Sequence, residues 1–435
     1  VNNSDSYSYN LNANLTLLFK IMKGLTLSVQ GGYDYDNSPS YSFRSKLDSP
    51  GAINSASNTS ALHNYWQNTN NLTWQKQFGD HSFTAMAVWE ISRSWDSQLK
   101  GTGSNLNNES VGYWNLGNAA IRDASNSYTE FSLASGIVRA NYDYKKRYFI
   151  TAALRADGSS KFPKNNRWGY FPSASVAWAF GREAFVSENA SWLSNGKLRL
   201  SYGQTGNNRV GDFDYMAKLI TSDNVYKYPW NGSFTPGFHI ANKANSQLKW
   251  ETTEQIDFGL DLGFFDGRIN VTADYYIKTT KDLLLRADVP GSSGFSSATL
   301  NVGKLKNKGF ELTLETINLK NKKFSWTSNF NIAFNSNKIT ALTEGKGEIT
   351  SYVSWDNKYK TMPAYVSRIG ESAGKMYGFI YEGTYKESDF NITTDDKGKK
   401  VYTLKEGIAS YVKGCQPGDP KYKDMPTIDT NGDGI

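Results

Sequence analysis

The chain has 435 residues, a formal charge of +7, 38% hydrophobic residues and an unusually high 14% of aromatics. No run approaches the ~18 consecutive apolar residues of a membrane-crossing helix. The lysines are scattered and form no basic run interleaved with aromatics, so nothing suggests a nucleic-acid partner. A single cysteine, Cys415, excludes an internal disulfide and a thiolate metal cluster. His63, His81 and His239 lie in separate segments, and no paired carboxylates or Ser-His-Asp order stands out. The residues therefore give no support to an enzyme.

In chain order, the pattern is alternation. Leu11, Ala13, Leu15, Leu17 and Phe19 alternate with asparagines and Thr16. Leu25, Leu27, Val29, Gly31 and Tyr33 follow, then Tyr148, Ile150, Ala152 and Leu154. In "FPSASVAWAF", Pro172, Ala174, Val176, Trp178 and Phe180 make a greasy set, and Phe171, Ser173, Ser175, Ala177 and Ala179 a small or polar one. Leu198, Leu200 and Tyr202 repeat the pattern, as do Ile256 to Phe264, Ile269 to Ile277 and Phe324 to Phe334. A period of two is the strand signature, with one apolar and one polar face. No helix-period segment is comparably strong.

A greasy face meets either a protein core or lipid, and two features decide for lipid. Many runs last about ten residues or more, against ~5–6 in soluble strands and ~9–11 in strands that cross a bilayer. The connections also alternate short and long. Tight turns are predicted at Met22–Gly24, Gly79–Asp80, Lys145–Arg147, Asp266–Gly267 and Lys320–Lys322. Long connections are predicted at 36–66, 94–128, 157–168, 206–250 and 280–303, with 182–196 as a longer periplasmic turn. Short periplasmic turns and long extracellular loops are the habit of outer-membrane barrels. The expectation is an all-β, antiparallel transmembrane β-barrel of roughly 12 to 15 strands, incomplete because an open edge in lipid strands unpaired backbone groups.

The segment "ALRADGSSKFPKNNRWGYFPSASVAWAF", Ala153–Phe180, is the most specific. Bottom-up it is a hairpin: a strand to Arg155, a turn at Asp157-Gly158, a polar loop with Lys161, Lys164 and Arg167, and an interfacial girdle of Trp168, Tyr170, Phe171 and Pro172. It also closely resembles the barrel hairpin of SusC/RagA-like TonB-dependent outer-membrane transporters. "LSNGKLRLSYGQTGN", "LKWETTEQIDFGLDLGFFDGRINVTADYYIKTTKDLLL", "NVGKLKNKGFELTLETIN", "GKMYGFIYEGTY" and "PGDPKYKDMPTIDTNGDGI" fit the same family in order. The resemblance implies an importer with a barrel of about 22 strands around an N-terminal plug. It implies a SusD-like surface lipoprotein over the mouth, energy from the TonB–ExbB–ExbD complex, and oligosaccharide or peptide substrates. No plug domain, TonB box or final strands occur in residues 1–435. The expectation is one partial barrel domain over 1–435, an internal piece of a longer outer-membrane protein from a Gram-negative bacterium, embedded in outer-membrane lipid.

Two candidate sites remain. Tyr65, Trp66, Tyr113, Trp114, Tyr226, Tyr228, Trp230 and Trp355 fall in the predicted long connections, where rings stack on sugar faces, pack on one another or meet a lid. Asp429, Asn431 and Asp433 in "DTNGDG" have the alternation of the first half of a calcium loop. The twelfth-position Glu of such a loop falls after Ile435, and Asn-Gly and Asp-Gly are also plain turn dipeptides. Otherwise no cofactor is required. The competing readings are a passive outer-membrane porin and, less well supported, a soluble β-rich glycan-binding module.

Overall fold

The structure, a computed structural model, describes residues 2–48, 51–221, 227–343, 347–353, 363–408 and 414–423. Its contacts divide the chain into two compact units, Val1–Gly345 and Lys346–Ile435.

The first unit is built on one 13-stranded sheet, and every pairing in it is antiparallel. We number the strands in chain order: β1 (Asn3–Ser6), β2 (Tyr9–Met22), β3 (Leu25–Arg44), β4 (Ser55–Phe78), β5 (His81–Leu106), β6 (Ala119–Tyr144), β7 (Tyr148–Ser159), β8 (Trp168–Trp178), β9 (Leu193–Asn207), β10 (Glu251–Phe264), β11 (Ile269–Lys281), β12 (Lys304–Lys320) and β13 (Ser325–Ala341). β1 and β2 lie end to end along one side of β3, and each later strand pairs with the one before it. This is a meander, the topology of an up-and-down barrel wall.

The five predicted tight turns are present, between β2 and β3, β4 and β5, β6 and β7, β10 and β11, and β12 and β13. At the first, Gly24 has φ +83°, and a Cβ there would meet the Gln75 carbonyl oxygen at 2.2 Å. Only glycine fits. The expected longer turn before β9 holds the short helix Ala184–Ser187.

The register confirms the two faces. Directly opposed residues share a face, so Thr151 and Ser175 lie with Asn141, and Ile150 and Val176 lie with Tyr142. The apolar face is uncovered: Leu15, Val138, Ile150, Phe258, Phe330 and Phe334 all stand exposed, Phe334 at 60%. A water-soluble protein does not present a continuous apolar band of this extent. Facing hydrocarbon, it needs no cover.

Two of the five predicted long connections are corrected, and those at 157–168, 206–250 and 280–303 stand, give or take a few residues of strand at their ends. β3 runs to Arg44 and β4 begins at Ser55, so most of 36–66 is strand. β5 and β6 have 26 residues each and absorb most of 94–128. At ~3.3 Å per residue the longest of these strands reach about 85 Å, and their 26 residues far exceed the ~9–11 a bilayer needs. Their upper portions stand outside the membrane. There most outward side chains meet water, so the apolar alternation fades while the backbone pairing continues.

Among its described residues the second unit has short strands, including Glu348–Tyr352 paired with Pro363–Arg368 and Phe390–Thr394 paired with Lys400–Leu404. Its buried cluster is Tyr385, Phe390 and Cys415, packed by Tyr402, Leu404 and Ile408.

Candidate functional site: the polar face and the loop crown

The polar face of the sheet carries paired charges and amides. Asn12 donates to Asp34 across β2 and β3. His63 Nδ1 lies 2.7 Å from Asp96 Oδ1, and Thr69 donates to Glu90 at 2.9 Å. The Arg155 guanidinium meets Asp157 at 2.7 Å, and the buried Ser135 hydroxyl donates to the same carboxylate at 2.5 Å. The densest cluster crosses β9, β10 and β11. Arg199 makes two bonds to Asp261, at 2.8 and 3.0 Å, and one to Asp274 at 2.9 Å. Gly259 makes the room: a Cβ there would sit 2.5 Å from the guanidinium carbon. A polar groove of about 530 Å³ opens on this face, lined by Arg139, Thr151, Ser175, Ser201, Thr253 and Gln255 among others. A larger recess, lined largely by apolar residues including Leu72, Trp74, Val138 and Leu154, lies on the apolar side.

The loops opposite the tight turns form a crown with two anchors. The first ties the β3–β4 loop to the β5–β6 loop. Glu109 accepts from the Lys46 backbone N–H at 3.0 Å, from Asn54 Nδ2 at 2.9 Å and from Ser45 Oγ at 2.8 Å. These donors, the Lys46 backbone first, hold its carboxyl down to about 2, well below the usual carboxylate value. Asn54 also exchanges two hydrogen bonds with the Leu106 backbone. Beneath lies a buried cluster of Ala56, Leu106, Tyr113 and Ala119.

The second anchor is aromatic. Phe162, Phe171, Leu248 and Trp250 form a buried cluster, backed by Leu133, Val210, Tyr215 and Leu284. Phe162 and Leu248 are 0% exposed. Trp250 Nε1 donates to the Arg167 carbonyl at 2.9 Å. The Phe171 ring fills the space over Gly206, where a Cβ would lie 2.1 Å from the ring. Pairing of β8 with β9 stops at Ser173 and Gly203, next to this insertion. The cluster pins both ends of the 208–250 connection. Between the pins stand the hairpin Lys227–Trp230 with Ser233–Pro236 and the pairing Leu219–Thr221 with Phe238–Ile240.

The sequence-predicted site residues are dispersed. Tyr65 and Trp66 are within β4, on opposite faces, and not in a loop. Tyr65 lies on the polar face opposite Asp34 and donates to Gln67 at 2.8 Å. Trp66 is outward, opposite Tyr33 and Arg93. Tyr113 is buried in the crown, where its hydroxyl donates to Asp5, so no ligand reaches its ring. Its neighbour Trp114 is 78% exposed and stacks on Tyr41 with centroids 6.0 Å apart. Tyr228 and Trp230 stand exposed on the Lys227–Trp230 hairpin, their rings edge-on at 6.5 Å. Among the described members of the set, Tyr113 meets Trp114 and Tyr228 meets Trp230. Phe171, expected in the interfacial girdle, is instead the buried anchor, while Trp168 and Tyr170 are exposed. Tyr226, Trp355, Asp429, Asn431 and Asp433 lie outside the described residues. Sequence reasoning missed Glu109 and the Arg199 cluster. Only the alternation phase marked Arg199, Asp261 and Asp274 as sharing a face.

A meander whose outward band is apolar, whose other face carries a hydrogen-bonded charge network, and whose strands exceed bilayer length is the wall of a transmembrane β-barrel. Among the described residues no helix is long and apolar enough to cross a membrane. The chain belongs to the family described as TonB dependent receptor-like, beta-barrel, which it matches over residues 1–406. That is an outer-membrane family of transporters and receptors. TonB-dependent receptor P39 of Formosa agariphila is 32% identical over 383 residues, 87% of this chain and 35% of that protein. TonB-dependent receptor SusC of Bacteroides thetaiotaomicron is 34% identical over 277 residues, 62% of this chain and 27% of that protein. In fold, the chain is similar to the RagAB peptide transporter with a TM-score of 0.79 at 24% identity, covering 97% of this chain and 45% of that one. The chain is thus SusC/RagA-like, and it spans about a third of the length of the curated relatives it matches.

Proposed function

We propose that the chain is the barrel part of a TonB-dependent importer that carries oligosaccharides or peptides across the outer membrane of a Gram-negative bacterium. In this reading residues 1–435 belong to a barrel of about 22 strands, with a plug and final strands supplied by the rest of the protein. A SusD-like lipoprotein covers the crown, and the TonB–ExbB–ExbD complex acts through the plug. The observation that carries the reading is the polar face: an extensive network of paired charges on a wall whose other side is bare to lipid. A wall of this kind suits a lumen occupied by a polar body that must move. The fold of the peptide transporter supports the peptide side, and the exposed rings of the crown, which can stack on sugar faces, the oligosaccharide side. In this reading Trp114, Tyr228 and Trp230, which are exposed, are the rings that meet substrate or lid. Calcium at Asp429, Asn431 and Asp433 rests on residue spacing alone.

The test is uptake by cells expressing the full-length protein, with and without TonB, together with identification of what copurifies from outer membranes in mild detergent. Uptake that requires TonB and a stoichiometric lipoprotein is the expected result. Uptake that persists without TonB, with no lipoprotein, makes the protein a porin.

A further inference from the structure

The apolar side of β11–β13 changes character abruptly at its upper end. There the register brings five lysines onto one face. Lys306 is directly opposite Lys338, and Lys304 is directly opposite Lys281. Lys308 faces Ile277 on one neighbour and Ser336 on the other. All five share the parity of Tyr275, Phe310 and Phe334, which form the next rung down and are exposed to lipid. The rung stands at the ends remote from the tight turns, and so on the long-loop, extracellular side.

Like charges directly opposed across a strand pair repel. The acidic groups of the region do not relieve this. Glu254, on the same outward face of β10, is taken by Lys281 at 2.6 Å. Glu311 and Glu315 point to the polar face, opposite Asp274 and Asn270. Among the described residues, no ion pair is made by Lys304, Lys306, Lys308 or Lys338. Four uncompensated ammonium groups therefore sit just above an apolar band, with stems that can lie along it.

We propose that this surface binds phosphate groups of outer-leaflet glycolipids. The lysines supply point charges at headgroup height. Tyr275, Phe310 and Phe334 supply the adjoining surface for the acyl chains of the same molecule. That continuity favours a lipid over a soluble anion, which has no use for the apolar rung. The inference rests on the membrane placement proposed above.

The experiment uses the full-length protein in detergent, with native mass spectrometry as readout. The probes are a bisphosphorylated disaccharide glycolipid and the same lipid with its phosphates removed. The wild-type protein is expected to retain the phosphorylated form about tenfold better, in line with the attraction of several surface lysines. Combined Lys304→Gln, Lys306→Gln, Lys308→Gln and Lys338→Gln substitution should erase that preference. Lys320→Gln with Lys323→Gln, at the opposite end of β12, should preserve it. Equal retention of both lipids by the wild-type protein overturns the proposal without reference to any variant. So does a preference that survives the fourfold substitution, or a fourfold variant that loses a copurifying protein while keeping its lipid. Failure of the wild-type protein to fractionate with the outer membrane would defeat the transporter reading itself. A membrane-inserted protein without phosphate preference defeats only this inference.

Discussion

The two flanks of the sheet solve the same problem differently. β3–β6 are tall, with 20 to 26 residues each, and are joined above by compact loops. β7–β11 are short, with 11 to 15 residues, and the connection after β9 runs for 43 residues before β10. The tall flank builds its extracellular wall from more sheet, held by backbone pairing and by the Glu109 tie. The short flank builds its wall from folded loop, held by the Phe171–Trp250 cluster. Beyond the small cluster around Tyr113, sheet extension needs few side chains to be correct, whereas the 43-residue connection depends on a core that holds both its ends. The tall flank should therefore tolerate single substitutions better than the short one.

The largest expected effect is on the short flank. Phe171→Ala or Trp250→Ala removes an aromatic from the anchor, at a cost of about 3–5 kcal/mol of local packing. The expected outcome is release of the 208–250 connection, read as new protease cleavage between 208 and 250 while the barrel stays folded. Cleavage unchanged from wild type would mean that the cluster does not hold the loop. Next comes Arg199→Met, which leaves Asp261 and Asp274 without their shared cation. These groups are partly exposed, so about 2 kcal/mol is expected, seen as a lowered midpoint for barrel unfolding in denaturant.

On the tall flank the expected effect is smaller and depends on pH. The Glu109 carboxyl titrates at about 2 when the loops are ordered, and nearer ~4.3 when they are not. A lowered folded value stabilises above the unfolded one and is lost as pH falls toward the folded one. Protection of 45–48, 51–54 and 107–118 from hydrogen exchange should hold from neutrality to about pH 4.5 and fade from there toward pH 2. In Glu109→Gln that slope should vanish; a slope that persists would assign it to another group. Smallest of all, Trp114→Ala should change stability by no more than about 0.5 kcal/mol. Its checks are the unfolding midpoint and the loss of any substrate-induced fluorescence change from that ring.

The same contrast explains what was legible in the sequence. Inside the membrane the outward face must be apolar, so alternation marked the strands and the five tight turns came out correctly. Above the membrane that requirement lapses. Residues 55–66 read as loop because their outward side chains, Asn58, Ser60, Leu62, Asn64 and Trp66, are mostly polar, although each has its strand partner. The polar face was legible as a face, and its bonding was not: Arg199 meets acids 62 and 75 residues away through a register no local pattern reports. Phe171 was misassigned for a related reason. One aromatic in an alternating strand looks like a girdle residue, and only the arrival of Leu248 and Trp250 from a distant loop makes it a core.

The upper part of the tall flank has a consequence for how such a surface changes through time. Below the cluster that Tyr41, Phe43 and Ala56 help to form, its outward side chains hold up neither a hydrophobic core nor a lipid contact, while its inward ones, Asp34, His63, Glu90 and Asp96 among them, are bound to partners. Replacements that phage, antibodies or competitors select for should therefore accumulate at every second position. The cell-facing mask of the protein can be rewritten without disturbing the passage behind it.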